Sequence, residues 1–233
     1  MRSSHRALAA VALTVLMTGC DGARPSSSGP TTSTPSPQAT PPPTSFVPEG
    51  CPLDDRDACE VIGEAATALV DGVAERLLTL HRPDVFDCSE VEVEIFPACA
   101  GGGVLRGHPI ASAEFGIEVL PPARYRAQLD GILSAIDPSF RDDHGDGTMR
   151  VLGVGTCGPP DPASRSYHLG YTAAVSEAGA PPERVLGSFE VIRREGRWWI
   201  GLWFIDTLAA WEDVSADPFT TIACGNMQPW GSP

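Results

Sequence analysis

Apolar residues recur at three- and four-residue spacing through Ala58, Ile62, Ala65, Leu69, Val73, Leu77 and Leu80, with Glu60, Glu64, Asp71 and Glu75 on the opposite side. That pattern predicts one amphipathic helix over Ala58–Leu80, ended by Pro83. Glu90 to Ile95 then alternates strictly between acidic and apolar residues, the mark of a half-buried strand. Gly101 to Gly103 read as a turn, and Phe115 to Val119 as a further strand. Pro121 and Pro122 open a second helix, because proline fits the first turn. Leu129, Ile132, Leu133 and Ile136 give that helix an apolar face, and Asp137-Pro138 closes it. Four more strands follow, over Val151–Gly155, Tyr167–Val175, Val185–Arg194 and Arg197–Asp206.

The last two of these flank Glu195-Gly196, a two-residue hairpin loop in which glycine supplies positive φ. An uninterrupted ladder from that turn sets Val191 against Ile200, Phe189 against Leu202 and Gly187 against Phe204, an apolar face for the helices to cover. The other face then carries Glu190, Ile192, Trp199, Trp203 and Ile205, with Ser188 opposite Trp203. On the preceding strand Tyr167, Leu169 and Tyr171 share one side, while His168 points to the other.

Helix, short strands, helix and an antiparallel meander make an α+β pattern, with both helices packed on a curved antiparallel sheet. The closing hairpin Phe189–Ile205, with Arg-Glu-Gly-Arg-Trp-Trp at its turn, resembles the final strands of the nuclear transport factor 2-like, or cystatin-like, superfamily. The resemblance spans Ala58 to Asp206. It implies a cone whose sheet and helices enclose a pocket; some members are isomerases or dehydratases, and many only bind or dimerise. Fold alone does not choose among these.

The chain begins differently. Arg2 and Arg6 precede an apolar run, Ala7 to Met17, broken only by Thr14. It is shorter than the ~20 residues a spanning helix needs and has the length of a signal-peptide core. Leu16-Met17-Thr18-Gly19-Cys20 resembles the lipobox of bacterial lipoproteins, which implies cleavage before Cys20 and a diacylglycerol on its thiol. Together with the absence of lysine and the Ala/Arg/Pro-rich usage, it resembles lipoproteins of high-GC Gram-positive bacteria. From Pro25 to Pro48, eight of 24 residues are Pro and eleven are Ser or Thr, a composition that cannot build a core. At ~3.1 Å per residue this tether reaches at most ~75 Å. The expected organisation is a signal peptide over 1–19, lipidated Cys20 and a disordered tether over 20–50, and a single disulfide-stabilised domain over 51–233. The expected location is the extracytoplasmic face of the cell membrane.

Charge narrows the partners. The formal charge of −14, from 16 basic and 30 acidic residues, argues against nucleic acid and against polybasic attachment to lipid. Beyond the membrane reached through the anchor, the expected partner is a protein, a cell-wall component or a small apolar ligand. Without Cys20, six cysteines remain, an even number that suggests three disulfides in an exported chain. Fifteen pairings are open to six thiols; the favoured set is Cys51–Cys59, Cys88–Cys99 and Cys157–Cys224.

No motif assigns a reaction. Gly153-Val-Gly155-Thr-Cys-Gly158 has the glycine spacing of a dinucleotide loop, yet Pro159-Pro160-Asp161-Pro162 follows where a helix is required. Asp142-Asp143-His144-Gly145-Asp146-Gly147 is acidic enough for calcium, but Gly153 stands where an EF-hand needs Glu, so it reads as a solvated turn. Glu90, Glu92 and Glu94 read as an acidic solvated face. Without lysine, a P-loop and Schiff-base chemistry are excluded. No metal and no cofactor is expected. The histidines of the folded part are His81, His108, His144 and His168, none in a metal-binding spacing. The candidates for an acid–base pair are His168 or Tyr171 with a carboxylate such as Glu190 or Asp206; those for an aromatic binding surface are Trp199 and Trp203. The first reading is therefore a tethered ligand-binding or interaction module. The alternatives are a small isomerase or hydrolase working in the cone pocket, and a structural lipoprotein without ligand.

Overall fold

The computed structural model describes residues 51–89, 95–113, 115–157, 165–214 and 227–230, without the side chains of 211, 213 and 214. Contacts divide the chain into 1–42 and 43–233, and every described residue belongs to the second unit. Cys20, the leader and the whole tether lie outside the described residues, as do Glu90, Glu92, Glu94 and Cys224.

The first helix is two. Helix α1 spans Arg56–Val70 and α2 spans Ala74–Leu80. Asp55 caps α1 by accepting the Ala58 N–H at 3.0 Å. At its other end Gly72 takes φ 67°, its N–H reaches Leu69 O and the Val73 N–H reaches Ala68 O. These two bonds form a Schellman stop, which the helical periodicity hides because α2 restarts almost in phase. The break turns Val73, expected in the apolar seam, 37% exposed. The second expected helix is α3, Pro122–Ser134, with Tyr125 and Leu129 as its buried side chains.

The sheet is built from β1 (Asp84–Asp87), β2 (Val104–Ser112), β3 (Gly116–Leu120), β6 (Arg150–Cys157), β7 (Ser166–Val175), β8 (Glu183–Arg194), β9 (Arg197–Thr207) and β10 (Gln228–Pro229). Its order is β1-β2-β9-β8-β7-β6-β10, with β3 also on β2. All pairs are antiparallel except β2 with β9. A two-stranded ribbon, β4 (Arg141–Asp142) with β5 (Gly145–Asp146), and helix α4 (Leu208–Val214) complete the described elements outside the 3₁₀ turn Pro97–Gly101. The fold is α+β, with helices packed on a curved, mostly antiparallel sheet.

The β8–β9 hairpin turns where the sequence says: Glu195 and Gly196 take φ 52° and 79°. The ladder holds the expected register as far as Val191↔Ile200, then slips. Gly201 and Leu202 together oppose Glu190, and beyond them Phe189 pairs with Trp203, Ser188 with Phe204 and Gly187 with Ile205. This β-bulge overturns part of the expected face pattern. Trp203 rather than Leu202 faces Phe189, and it is 1% exposed in the core. Ile205 also packs against the helix-covered core, while Glu190, Ile192 and Trp199 keep the opposite face. The core lies between α1, α2, α3 and the inner sheet face, joining Ile62, Leu69, Leu77 and Leu129 to Leu169, Tyr171, Phe189, Val191, Ile200 and Trp203. Burying each such side chain stabilises by about 1.5–3 kcal/mol.

Two of the three expected disulfides, Cys51–Cys59 and Cys88–Cys99, are present. Cys157 is also disulfide-bonded.

Candidate functional site: a neutral polar cluster between helices and sheet

Where α2 ends, the chain turns into the sheet. His81 bridges to Ile200 and sits at the centre of an aromatic cluster. His108 comes from β2, whose inward positions alternate with Pro109 and Ala111. Tyr125 comes from the first turns of α3. The His108 and Tyr125 rings stack at 4.5 Å between centroids, and the edge of His81 meets Tyr125 at 5.1 Å and Phe189 at 5.1 Å. Trp203 closes the cluster against Tyr125 at 5.7 Å, and its indole N–H donates to the Tyr171 hydroxyl at 2.6 Å. All of these side chains are nearly or wholly buried.

Their hydrogen bonding is incomplete. His81 Nδ1 lies 2.7 Å from Leu77 O. A carbonyl only accepts, so Nδ1 carries the proton and Nε2 of the neutral ring is an acceptor. That Nε2, His108 Nδ1 and the Tyr125 hydroxyl are buried and have no partner among the described residues. An unsatisfied buried polar atom costs about 1–3 kcal/mol, so three in one contact cluster form a feature that a purely structural core would avoid.

Electrostatics hold the cluster uncharged. Burial lowers His81 to about 3, with the nearby His108 adding to the effect against the Leu77 hydrogen bond. Burial also lowers His108. Burial, and the neighbouring Tyr171, hold the Tyr125 hydroxyl well above its ordinary value, and burial raises Tyr171 against the Trp203 hydrogen bond. Each shift moves a group away from neutral pH. General acid–base catalysis needs the reverse, values drawn toward the working pH. At neutral pH the cluster is therefore an array of uncharged hydrogen-bond donors and acceptors.

The site candidates read from the sequence are distributed otherwise. Tyr171 faces inward beside the cluster, whereas His168 and Glu190 are cross-strand neighbours on the outer face, so Tyr171 does not meet either. His168 Nδ1 lies 3.3 Å from Ser188 Oγ, its ring packs on Phe204, and burial lowers it to about 4. Glu190 is hydrogen-bonded by Ser166, and burial raises its carboxyl. Asp206 Oδ2 accepts the Ala113 N–H at 2.6 Å instead of approaching His168. Trp199 and Trp203 lie on opposite faces and form no joint surface. In the acidic loop, Arg184 supplies the cation: its Nε reaches both Asp142 carboxylate oxygens, at 3.2 and 3.0 Å, and its Nη2 donates to Gly145 O and Asp146 O. No group of three metal-binding side chains converges among the described residues. Sequence reasoning named His81 and His108 only as histidines without a motif; their one available signal was polarity at positions that the helical and strand periods turn inward.

No family profile and no curated protein matches the chain. Solved structures overlap it. One is a DUF4783 family protein from Bacteroides ovatus, 11% identical, covering 62% of this chain and 93% of its own at a TM-score of 0.37. A second is a protein with a cystatin-like fold from Caulobacter vibrioides, 13% identical, covering 69% and 93% at 0.41. A third, of the NTF2-like family, comes from Streptomyces avermitilis; it is 12% identical and covers 66% and 96% at 0.36. At such scores the overlap carries no statement about activity; the architecture rests on the pairing described above.

Proposed function

We propose that the chain is an extracytoplasmic, lipid-tethered binding module, and that its folded part holds a small uncharged ligand, rich in hydrogen-bonding groups, at the His81–His108–Tyr125 cluster. One observation carries the ligand reading: three buried polar atoms in mutually touching rings lack partners among the described residues, and all three rings are held neutral. A carbonyl or hydroxyl compound offers the donors and acceptors that these atoms lack. Charged ligands are disfavoured, because nothing in the cluster would compensate their desolvation. The tether reading is supported by the leader, the small residues before Cys20 and the Pro/Ser/Thr stretch.

Native mass spectrometry of the protein taken from membranes tests both parts. The expected spectrum shows a chain starting at Cys20 with a diacylglycerol adduct, and a bound neutral compound that His81→Phe loses. A full-length chain with free thiols in the cytosolic fraction overturns the tether. Equal ligand retention by His81→Phe and by Tyr125→Phe overturns the site.

A further inference from the structure

The opposite face of the sheet carries a hollow. Strands β2 and β9 pair only at Ile110↔Trp203 and Ala111↔Phe204. Beyond that point the lead-in to β1 wedges between them, with His81 on Ile200 and Asp84 on Gly107. The Gly201–Leu202 bulge sits at this parting, with the Ile192 side chain packed over Gly201 where a Cβ would stand. A cleft of about 230 Å³ results. Its apolar wall includes Phe86, Phe96, Ile117 and Leu202, with the two phenyl rings 5.2 Å apart. Its polar end holds Asp84, Glu190 and Arg194, and the same end opens into an adjoining hollow of about 290 Å³ bounded by Arg82 and Glu195.

Charge at that end does not balance. Three carboxylates (Asp84, Glu190 and Glu195) face two guanidiniums. Arg82 is committed to Glu195 at 2.8 Å, and Arg194 reaches Asp84 at 3.6 Å. Glu190 makes no ion pair among the described residues; the Ser166 hydrogen bond and the more distant field of Arg194 are what offset its burial and the repulsion of Asp84. An anion entering here would meet the unpaired carboxylate, and a neutral apolar body would leave it desolvated. A ligand cation would complete the charge set.

We propose that this cleft is a second binding site, for a small amphipathic cation whose protonated amine sits between Glu190 and Asp84 and whose apolar body lies on Phe86 and Leu202. The site is independent of the inner cluster, from which the sheet separates it. The net charge of −14 favours the approach of cations to the molecule as a whole.

Calorimetric titration of the full chain at neutral pH with 2-phenylethylammonium, 2-phenylethanol and phenylacetate tests it, since the three probes differ mainly in head-group charge. The amine is expected to bind about tenfold or more tighter than the alcohol, as a charged hydrogen bond predicts, and phenylacetate not measurably. Glu190→Gln is expected to bring the amine down to the affinity of the alcohol. Asp84→Asn, at a more exposed edge position, gives a smaller loss in the same direction and serves if Glu190→Gln does not fold. Equal binding of the three probes overturns the proposal, as does undiminished amine affinity in a folded Glu190→Gln. A dimer that covers the cleft, excludes the amine and is abolished by Phe86→Asp overturns it too. His81→Phe leaves amine binding unchanged, so failure here and failure of the inner site are told apart.

Discussion

The two faces of the sheet solve opposite problems. The inner face is covered by three helices: His81, His108, Tyr125 and Tyr171 are held uncharged there, and three of their polar atoms lack partners among the described residues. The outer face carries charges and pairs several of them, including the nearly buried Arg184, whose side chain is 4% exposed against Asp142. Burying a neutral polar atom without a bond is tolerable at about 1–3 kcal/mol, whereas burying an unpaired charge costs several kcal/mol per ion. Among the described residues both faces leave buried atoms without a bond, Arg184 Nη1 and Trp199 Nε1 on the outer one; what sets the inner three apart is that they share one contact cluster of groups held neutral.

The sharpest way to break this division is at the bulge, where neighbours in sequence part company. Trp203→Ala is expected to cost about 3–5 kcal/mol, as for large aromatics in cores. Leu202→Ala is expected to cost about 1 kcal/mol, because Leu202 is half-buried on the cleft. Urea denaturation of both variants decides: the reverse order would restore the uninterrupted hairpin register and dissolve the two-face description.

That reversal marks where the sequence stops being legible. The turn residues Glu195-Gly196 fix the hairpin, and the alternation in β7 sorts Tyr167, Leu169 and Tyr171 from His168 correctly. Gly201 in a strand interior is the usual sign of a bulge, but nothing local states on which side of it the ladder slips. The break between α1 and α2 had the same kind of signal in Gly72. The inner cluster was less readable still. His81, His108 and Tyr125 come from a helix end, a strand and another helix, and only the parting of β2 from β9 brings them together.

On the outer face, Asp142→Asn leaves the Arg184 guanidinium with two backbone carbonyls and no counter-charge. The expected loss is about 2–3 kcal/mol, below the 3–5 of a fully buried pair, because the Asp142 side chain is 24% exposed. Arg184→Met, which removes the charge together with its need for a partner, is expected to cost less. If Asp142→Asn and Arg184→Met are equally harmful, the pair is packing rather than charge compensation. Calcium is expected to leave the melting temperature unchanged, since the guanidinium occupies the carboxylate.

Acid sharpens the comparison from the inner side. His81 falls from an ordinary 6.5 to about 3, and His168 to about 4. As pH drops below 6.5 the unfolded chain takes up protons that the folded chain refuses, so stability present above 6.5 is lost on the way to 4 and below. Each histidine contributes a slope of about 1.4 kcal/mol per pH unit within its window. His81→Phe is expected to remove one such slope between pH 6 and 4, read from unfolding free energies at several pH values. An unaltered slope would mean that His81 is protonated in the folded protein, and the inner face would no longer be neutral.

The smallest effect is optical. Trp199 is half-buried on the outer face beside Ile192, and Trp203 is sealed within. Trp199→Phe keeps an aromatic ring at a partly exposed site and is expected to change stability by about 0.5 kcal/mol or less. It is nevertheless expected to remove a share of the emission that acrylamide quenches, whereas Trp203→Phe leaves the quenchable share intact while reducing the total. The indole bond to the Tyr171 hydroxyl supplies a second discriminator, because Trp203→Phe deletes a donor from a closed interior and Trp199→Phe removes no hydrogen bond made within the described residues. If both variants lose quenchable emission equally, the two indoles share a face, the bulge is absent, and the separation of a neutral interior from a charged cleft falls with it.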